Sequence, residues 1–257
     1  DITQAKRSER ELTAAKEEAL AASKAKDDFL AALSHELRTP LSPVLLLATA
    51  AAEDPELPES LRQDFKMIGD NVALQARLID DLLDFNRISR GKLALVRLSL
   101  DVHETVREAA RAVQEDILAK SIRLTFALEA RRSRLLGDPV RLMQVFWNGL
   151  KNAVKFTPTA GQIDVFSRLI EAENLIEIRI EDTGIGMNAE ELARVFQPFI
   201  QGRHARERSS AYGGLGLGLS IARDLVEAHG GTIWAESAGP NQGASLFIRL
   251  PLADPAA

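Results

Sequence analysis

His35, in the run Ser34-His35-Glu36-Leu37-Arg38-Thr39-Pro40, is the side chain in this sequence best suited to receive a charged group. An unperturbed imidazole has a pKa of ~6.5, so near neutral pH it is mostly unprotonated and nucleophilic without any large shift. Glu36 adjoins it, and Thr39 follows four residues on, which on a helix places its hydroxyl on the same face. A second group of residues lies more than a hundred positions later. Asn148, Asn152 and Lys155 form a polar stripe at helical spacing, a pattern that by itself also fits a solvated face. Asp182-Thr183-Gly184-Ile185-Gly186 sets a carboxylate at the end of an alternating stretch with two flexible residues beyond it, though Asp-x-Gly-x-Gly also describes an ordinary turn. The run Gly213-Gly214-Leu215-Gly216-Leu217-Gly218 leads into a helix, whose free amides favour a phosphate. The division suggests a phosphate donor site in one half of the chain and a phosphate acceptor in the other.

These residues need two kinds of scaffold. Residues 4 to 39 are rich in Ala, Glu, Lys and Leu with no proline or glycine until Pro40, which predicts a long helix. Leu12, Ala15, Ala19, Ala22, Phe29 and Leu33 fall near a 3.5-residue spacing interrupted by Lys26, which predicts a parallel coiled-coil entry; a single amphipathic surface helix is the alternative. Pro40 and Pro43 each delete a helical donor, at a cost of ~3 kcal/mol in a helix interior, and predict a kink after His35. The acidic, proline-containing stretch Glu53 to Ser60 reads as a turn, with Ser60 as the cap of a second helix through Leu61, Phe65, Ile68, Val72, Leu78, Leu82 and Phe85. Two such helices cannot close a core alone, so two hairpins are expected to pair into a four-helix bundle in a homodimer.

After Gly91 the pattern changes. Leu93 to Leu98 and Ile122 to Leu128 read as strands around a helix from about Val102 to Ala119. A helix is expected over Val140 to Phe156, a hairpin over Ile163 to Leu169 and Leu175 to Ile180, and strands at Thr232 to Ala235 and Ser245 to Arg249. The expected architecture is a mixed α/β sandwich with helices on one face of the sheet.

Composition narrows the function classes. The 257 residues can form one large domain or two modest ones, and a net charge of -5 gives no basis for binding nucleic acid. There is no cysteine, and the four histidines show no zinc spacing. The longest apolar stretch, near Val44 to Ala52, is too short to span a bilayer, so the chain as given is expected to be cytoplasmic, with any membrane anchor upstream. Neither a P-loop nor a Gly-x-Gly-x-x-Gly fingerprint is present, and the signatures of serine/threonine and tyrosine kinases are missing.

Taken together, the motifs resemble the sensor histidine kinases of two-component systems over nearly the whole chain. Residues 34 to 40 match the family's H box, Asn148 to Lys155 its N box, Asp182 to Gly186 its G1 box, Phe196-Gln197-Pro198-Phe199 its F box and Gly213 to Ser220 its G2 box. The resemblance implies an all-α hairpin forming a four-helix bundle in the dimer, followed by an α/β sandwich of the histidine kinase, Hsp90 and gyrase ATPase type. It implies domains at 1–25 (coiled-coil signalling helix), 26–91 (dimerisation and phosphotransfer) and 92–257 (ATP-binding catalytic domain). It assigns His35 as the phosphorylated residue, Glu36 as its orienting acid and Thr39 to water positioning in dephosphorylation. The cofactors it implies are ATP and Mg²⁺, with Asn152 as metal ligand, Lys155 near the phosphates, Asn148 in the same pocket and Asp182 on the adenine amino group. Gly184, Gly186, Gly214, Gly216 and Gly218 would give backbone approach to the nucleotide. Leu215 departs from the family, which often has a small hydroxyl residue there.

The activity implied is autophosphorylation of His35 from ATP, transfer to an aspartate of a response regulator receiver domain, and phosphatase activity toward that regulator. The basic segment Ile200 to Tyr212, with Arg203, Arg206 and Arg208, would be a lid over the nucleotide, and Ser89-Arg90-Gly91-Lys92 a hinge. Asp1-Ile2-Thr3 resembles the exit from a PAS sensor domain. A non-catalytic ATP-binding dimeric scaffold is the alternative; it would be marked by loss of His35, Asn152 or Asp182, and all three are present. His103, His204 and His229 lie in no motif and are expected at the surface or in packing.

Overall fold

A computed structural model describes residues 36–88, 95–200 and 215–253. The chain divides into two compact units between Arg87 and Ile88. The predicted coiled-coil entry, His35 itself, the hinge at Ser89 to Lys92, and residues 201–214 with Gly214 and the predicted lid lie outside the described residues.

The first unit is a helical hairpin of α1 (residues 36–53) and α2 (Glu59–Ile88). Helix α1 continues through Pro40 and Pro43, and the Ser42 hydroxyl donates to the Arg38 carbonyl at 3.2 Å within that stretch. In the turn, the Asp54 carboxylate accepts the Glu56 amide at 2.8 Å. Ser60, expected as the cap of α2, lies inside its first turn, because the Pro58 carbonyl already accepts the Arg62 amide at 3.1 Å. Arg38 of α1 pairs with Asp80 of α2. Ala48 is buried opposite Gly69, where an added Cβ would lie 3.6 Å from the Ala48 Cβ. The hairpin leaves much apolar surface uncovered, with Leu46 and Leu47 72% and 70% exposed and Met67 59%.

The second unit holds two sheets. Strands β1 (Leu98–Asp101) and β3 (Arg134–Gly137) form an antiparallel pair. Strands β2 (Arg123–Leu128), β4 (Gln162–Ile170), β5 (Leu175–Asp182), β6 (Thr232–Glu236) and β7 (Ala244–Pro251) form a mixed sheet in the order β2-β4-β5-β7-β6, parallel only between β2 and β4. Alternation decides its faces. Ile163, Val165, Ile176, Ile178, Ile180, Ile248 and Leu250 are buried on one side. The other side carries cross-strand pairs: Glu177 is held between Arg168 and Arg249, Trp234 stacks on Phe247, and Arg179 lies over Phe166.

Helices α3 (Val102–Arg111), α5 (Pro139–Phe156) and α7 (Gly218–Ala228) pack together, α5 against β5 and α7 against β6 and β7. They bury Val106, Ala109, Leu142, Phe146, Leu150, Ile221, Leu225 and Val226. Short helices α4 (Gln114–Ala119) and α6 (Ala189–Arg194) lie between larger elements. Three of the starts have side-chain caps. The Asp101 carboxylate accepts the His103 and Glu104 amides, Asp138 accepts those of Val140 and Arg141 with Pro139 in the first turn, and Asn188 with Glu191 forms a reciprocal capping box.

Two expectations change here. Of the strand expected over Leu93 to Leu98, residues 93 and 94 lie outside the described residues and 95–97 are not in a strand, which runs from Leu98; the Val96 amide donates instead to the Asp138 carboxylate at 3.1 Å. The single helix expected from Val102 to Ala119 breaks at Ala112 and Val113, where the Val113 amide bonds the Ala110 carbonyl three residues back, while Val113 and Ile117 remain buried.

Candidate functional site

Helix α5 supplies the polar stripe. Its apolar positions face the core, so Asn148 and Asn152, four residues apart, share another face. Asn148 is only 5% exposed, yet its side-chain nitrogen has no hydrogen-bond partner among the described residues. A buried amide without a partner costs about 1–3 kcal/mol, so the position is one that a bound group would relieve. The Asn148 side chain lies directly beneath Gly218, where an added Cβ would meet the Asn148 Oδ1 at 3.1 Å. Gly218 opens α7, and the cap residue before it is the buried Leu217, which offers no side-chain acceptor. An eleven-residue helix thus presents its N-terminal amides uncapped by a side chain, next to an unsatisfied amide donor. Both features suit an anion.

Near the carboxyl end of α5, Lys155 is half-buried, and burial lowers its pKa from the usual lysine value. An ammonium held there gains from a nearby negative group. Phe156 then meets the loop after β5. The Phe156 carbonyl accepts the Ile185 amide at 3.3 Å, and a Cβ on Gly184 would stand 2.7 Å from that carbonyl oxygen.

Asp182 is the last residue of β5. Burial pushes its carboxyl up to about 6, against the pull of the Gly184 and Ala244 amides that bond to it. The Gly184 amide reaches its Oδ1 at 2.8 Å. A carboxylate kept partly dry at the end of a strand is an acceptor for a neutral donor group, and it needs no cation beside it.

A feature that sequence reasoning missed is the turn from Ser237 to Gly243, which wraps the Asp182–Gly186 loop. Asn241 donates to the Ile185 carbonyl at 2.6 Å, Gly243 to the Gly184 carbonyl at 3.1 Å, and the Ser237 hydroxyl accepts the Met187 amide at 3.0 Å. Gly186 has φ of +62°, and a Cβ on it would lie 2.1 Å from the Gly239 carbonyl oxygen. The punctuation Gly239-Pro240-Asn241-Gln242-Gly243 is the signal that could have found this turn. Gly216 is similarly constrained, with φ of +73° and the Ile200 carbonyl 2.6 Å from a Cβ placed on it, while Phe199 donates its amide to the Gly216 carbonyl at 3.1 Å. The segment after Phe196-Gln197-Pro198 therefore packs against the glycine turn.

Asn148, Asn152, Lys155, Asp182, Gly184, Gly186, Gly216 and Gly218 thus lie in one unit, around the carboxyl half of α5, the loop after β5 and the start of α7. Gly214 lies outside the described residues. Glu36 and Thr39 are exposed in the first described turn of α1, in the other unit. His229 is buried, its Nδ1 bonded to the Leu225 carbonyl and its Nε2 accepting the Asp138 amide at 2.9 Å, so it joins the end of α7 to the start of α5. His103 shares a 2.9 Å hydrogen bond with Ser167.

The family model described as Histidine kinase-, DNA gyrase B-, and HSP90-like ATPase matches residues 137–254, and that of the His Kinase A (phospho-acceptor) domain matches residues 25–91. Autoinducer 2 sensor kinase/phosphatase LuxQ of Vibrio vulnificus (strain YJ016) is 32% identical over 98% of this chain and 29% of its own length. Signal transduction histidine-protein kinase BarA of Escherichia coli (strain K12) is 35% identical over 94% of this chain and 26% of its own. The chain thus spans less than a third of these relatives. Among solved structures, full-length ShkA in complex with AMPPNP superposes with a TM-score of 0.72 at 29% identity, covering 90% of this chain and 47% of that one. The isolated catalytic domain of histidine kinase ThkA gives 0.52 at 26% identity, covering 60% and 97%. With a phospho-acceptor hairpin followed by an ATP-binding domain of this type, the chain belongs to the sensor histidine kinases.

Proposed function

We propose that this chain is a kinase core that phosphorylates its own His35 from ATP and passes the group to an aspartate of a response regulator. The observation that carries the reading is the unsatisfied Asn148 amide beside the uncapped start of α7, an anion site built into the ATPase unit. In the transfer, the bond from the γ-phosphorus to the bridging oxygen of ADP breaks as a bond to a ring nitrogen of His35 forms. Glu36 orients the imidazole and takes up the proton that the ring loses. Because phosphoryl transfer depends mainly on positioning and charge neutralisation, Lys155 and the α7 amides hold the phosphates while Asp182 accepts from the adenine amino group. Mg²⁺ would be held by Asn152 and would neutralise phosphate charge, consistent with an ion that takes few protein oxygens beside phosphate.

The exposed apolar residues of the hairpin, Leu47 and Met67 among them, support pairing with a second hairpin in a homodimer. A receiver domain would meet Ser42, Leu46, Thr49 and the stretch from Arg62 to Lys66, and Thr39 would serve dephosphorylation of that partner. An upstream sensor, of PAS type, would drive the core. The relative LuxQ is described as a kinase/phosphatase, and ThkA has been solved in complex with a response regulator. Incubation with γ-labelled ATP and Mg²⁺ tests the central step. The expected label is acid-labile, alkali-stable and lost in His35→Gln; nucleotide binding without any label would favour the scaffold.

A further inference from the structure

The carboxyl end of α5 is held from outside the helix by one side chain that belongs to no nucleotide motif. Val154 would ordinarily bond its carbonyl to the amide four residues on, but that residue is Pro158 and has no N–H. Lys155 and Thr157 lose helical partners as well, because the chain turns extended at Thr157, with φ of -76° and ψ of 131°. Lys120, at the end of α4, fills all three places: its Nζ donates to the carbonyls of Val154 at 2.7 Å, Lys155 at 2.9 Å and Thr157 at 3.1 Å. Its own carbonyl accepts the Ala160 amide at 2.8 Å, closing the strap in the other direction. The remaining carbonyl of this run, that of Phe156, points to the Ile185 amide of the Asp182–Gly186 loop. Four successive carbonyls are thus divided between one ammonium and one loop.

We propose that Lys120 is a positioning residue of the nucleotide site. Its ammonium fixes the last turn of α5, which sets the direction of Lys155 and Asn152 and keeps the Phe156 carbonyl in register with the loop that carries Asp182. The role at the nucleotide rests on the function proposed above; the clamp itself does not. Lysine suits the position for two reasons. A compact ammonium has three protons for three converging acceptors, whereas the planar arginine fork does not converge on one point. A cation at a helix carboxyl end also complements the helix dipole.

The test uses the whole chain with Lys120→Met, Lys120→Arg and a control, Arg132→Met. Arg132 bonds Asn174 and the Ala253 carbonyl at the opposite end of the sheet, about 25 Å away along β5, so its loss removes comparable bonds far from the site. Two quantities are read well below each variant's unfolding temperature: affinity for a non-hydrolysable ATP analogue with Mg²⁺, and nucleotide-free hydrogen exchange at the Ile185 amide. Both Lys120 variants are expected to weaken the analogue about ten-fold, within the usual range of coupling between sites, and to speed Ile185 exchange. Arg132→Met is expected to lower the unfolding temperature and change neither. Lys120 variants that lose stability yet keep wild-type affinity and exchange would overturn the proposal; if Lys120→Met does not fold, the same result from Lys120→Arg overturns it. A wild type that binds no analogue would sink the nucleotide role, and Ile185 exchange would then report on the clamp alone.

Discussion

Asp182, half-buried, and His229, buried, are ionisable residues whose pKa values move in opposite directions. The Asp182 carboxyl is raised to about 6 from 3.8, so the folded chain holds its proton more tightly than the unfolded chain. Its ionisation therefore costs stability above about pH 6, and the cost fades as pH falls toward 4. The ionised carboxylate is the stronger acceptor for the hydrogen bond proposed from the adenine amino group, so nucleotide affinity should fall as pH drops through 6, measurable by titration calorimetry. Asp182→Asn should lose that affinity while raising the unfolding temperature at pH 8, by the equivalent of at most roughly 2–3 kcal/mol. A variant less stable than the wild type at pH 8 would contradict the strain assigned to this carboxylate. For His229, burial lowers the pKa and outweighs the Leu225 carbonyl that favours its proton. Its unprotonated Nε2 accepts the Asp138 amide, so its contribution is present above the unfolded pKa of ~6.5 and is lost as pH falls below it. The stability gap between wild type and His229→Ala, read from urea midpoints, should be larger at pH 8 than at pH 5.5.

At the scale of elements, chemistry proved more legible than partnership. Asp182-x-Gly-x-Gly and the glycine run could be read because their requirements are local: a strand end, positive φ, close backbone approach. Strand β3 could not, since Arg134–Gly137 is four residues long and only Leu135 and Gly137 turn inward. The Ser237–Gly243 wrap and the Lys120 clamp join residues some 34 to 60 positions apart, and nothing in either local sequence names the other side. The hairpin offers a prediction at this scale. Gly69 sits inside α2 with ordinary contact distance to Ala48, so Gly69→Ala should add helix stability of up to about 1 kcal/mol without a clash. A lowered melting temperature of the hairpin would show that the space is already claimed. By contrast Gly186→Ala, facing the Gly239 carbonyl at 2.1 Å with φ of +62°, should open the loop and weaken nucleotide binding more than ten-fold in direct titration.

For the whole molecule, the division between Arg87 and Ile88 separates the proposed acceptor residues from every described residue of the proposed donor site. The unit from Ile88 onward, expressed alone, should bind a non-hydrolysable ATP analogue with affinity close to that of the full chain and take up no label from γ-labelled ATP. Incorporation of label into that unit would place an acceptor outside the hairpin. Strand order adds a consequence for biosynthesis. Among the described residues, strand β7 is the last of the seven made, yet it lies between β5 and β6 and supplies the only partner of β6. While the ribosome has yet to release residues 244–251 from its exit tunnel, β6 has nothing to pair with and β5 is an open edge of the kind that aggregates. A nascent chain should therefore show a protease-sensitive ATPase unit until β7 has left the exit tunnel. A premature stop between residues 237 and 243 would remove an interior strand of the described sheet and leave β6 unpaired, rather than trim an edge.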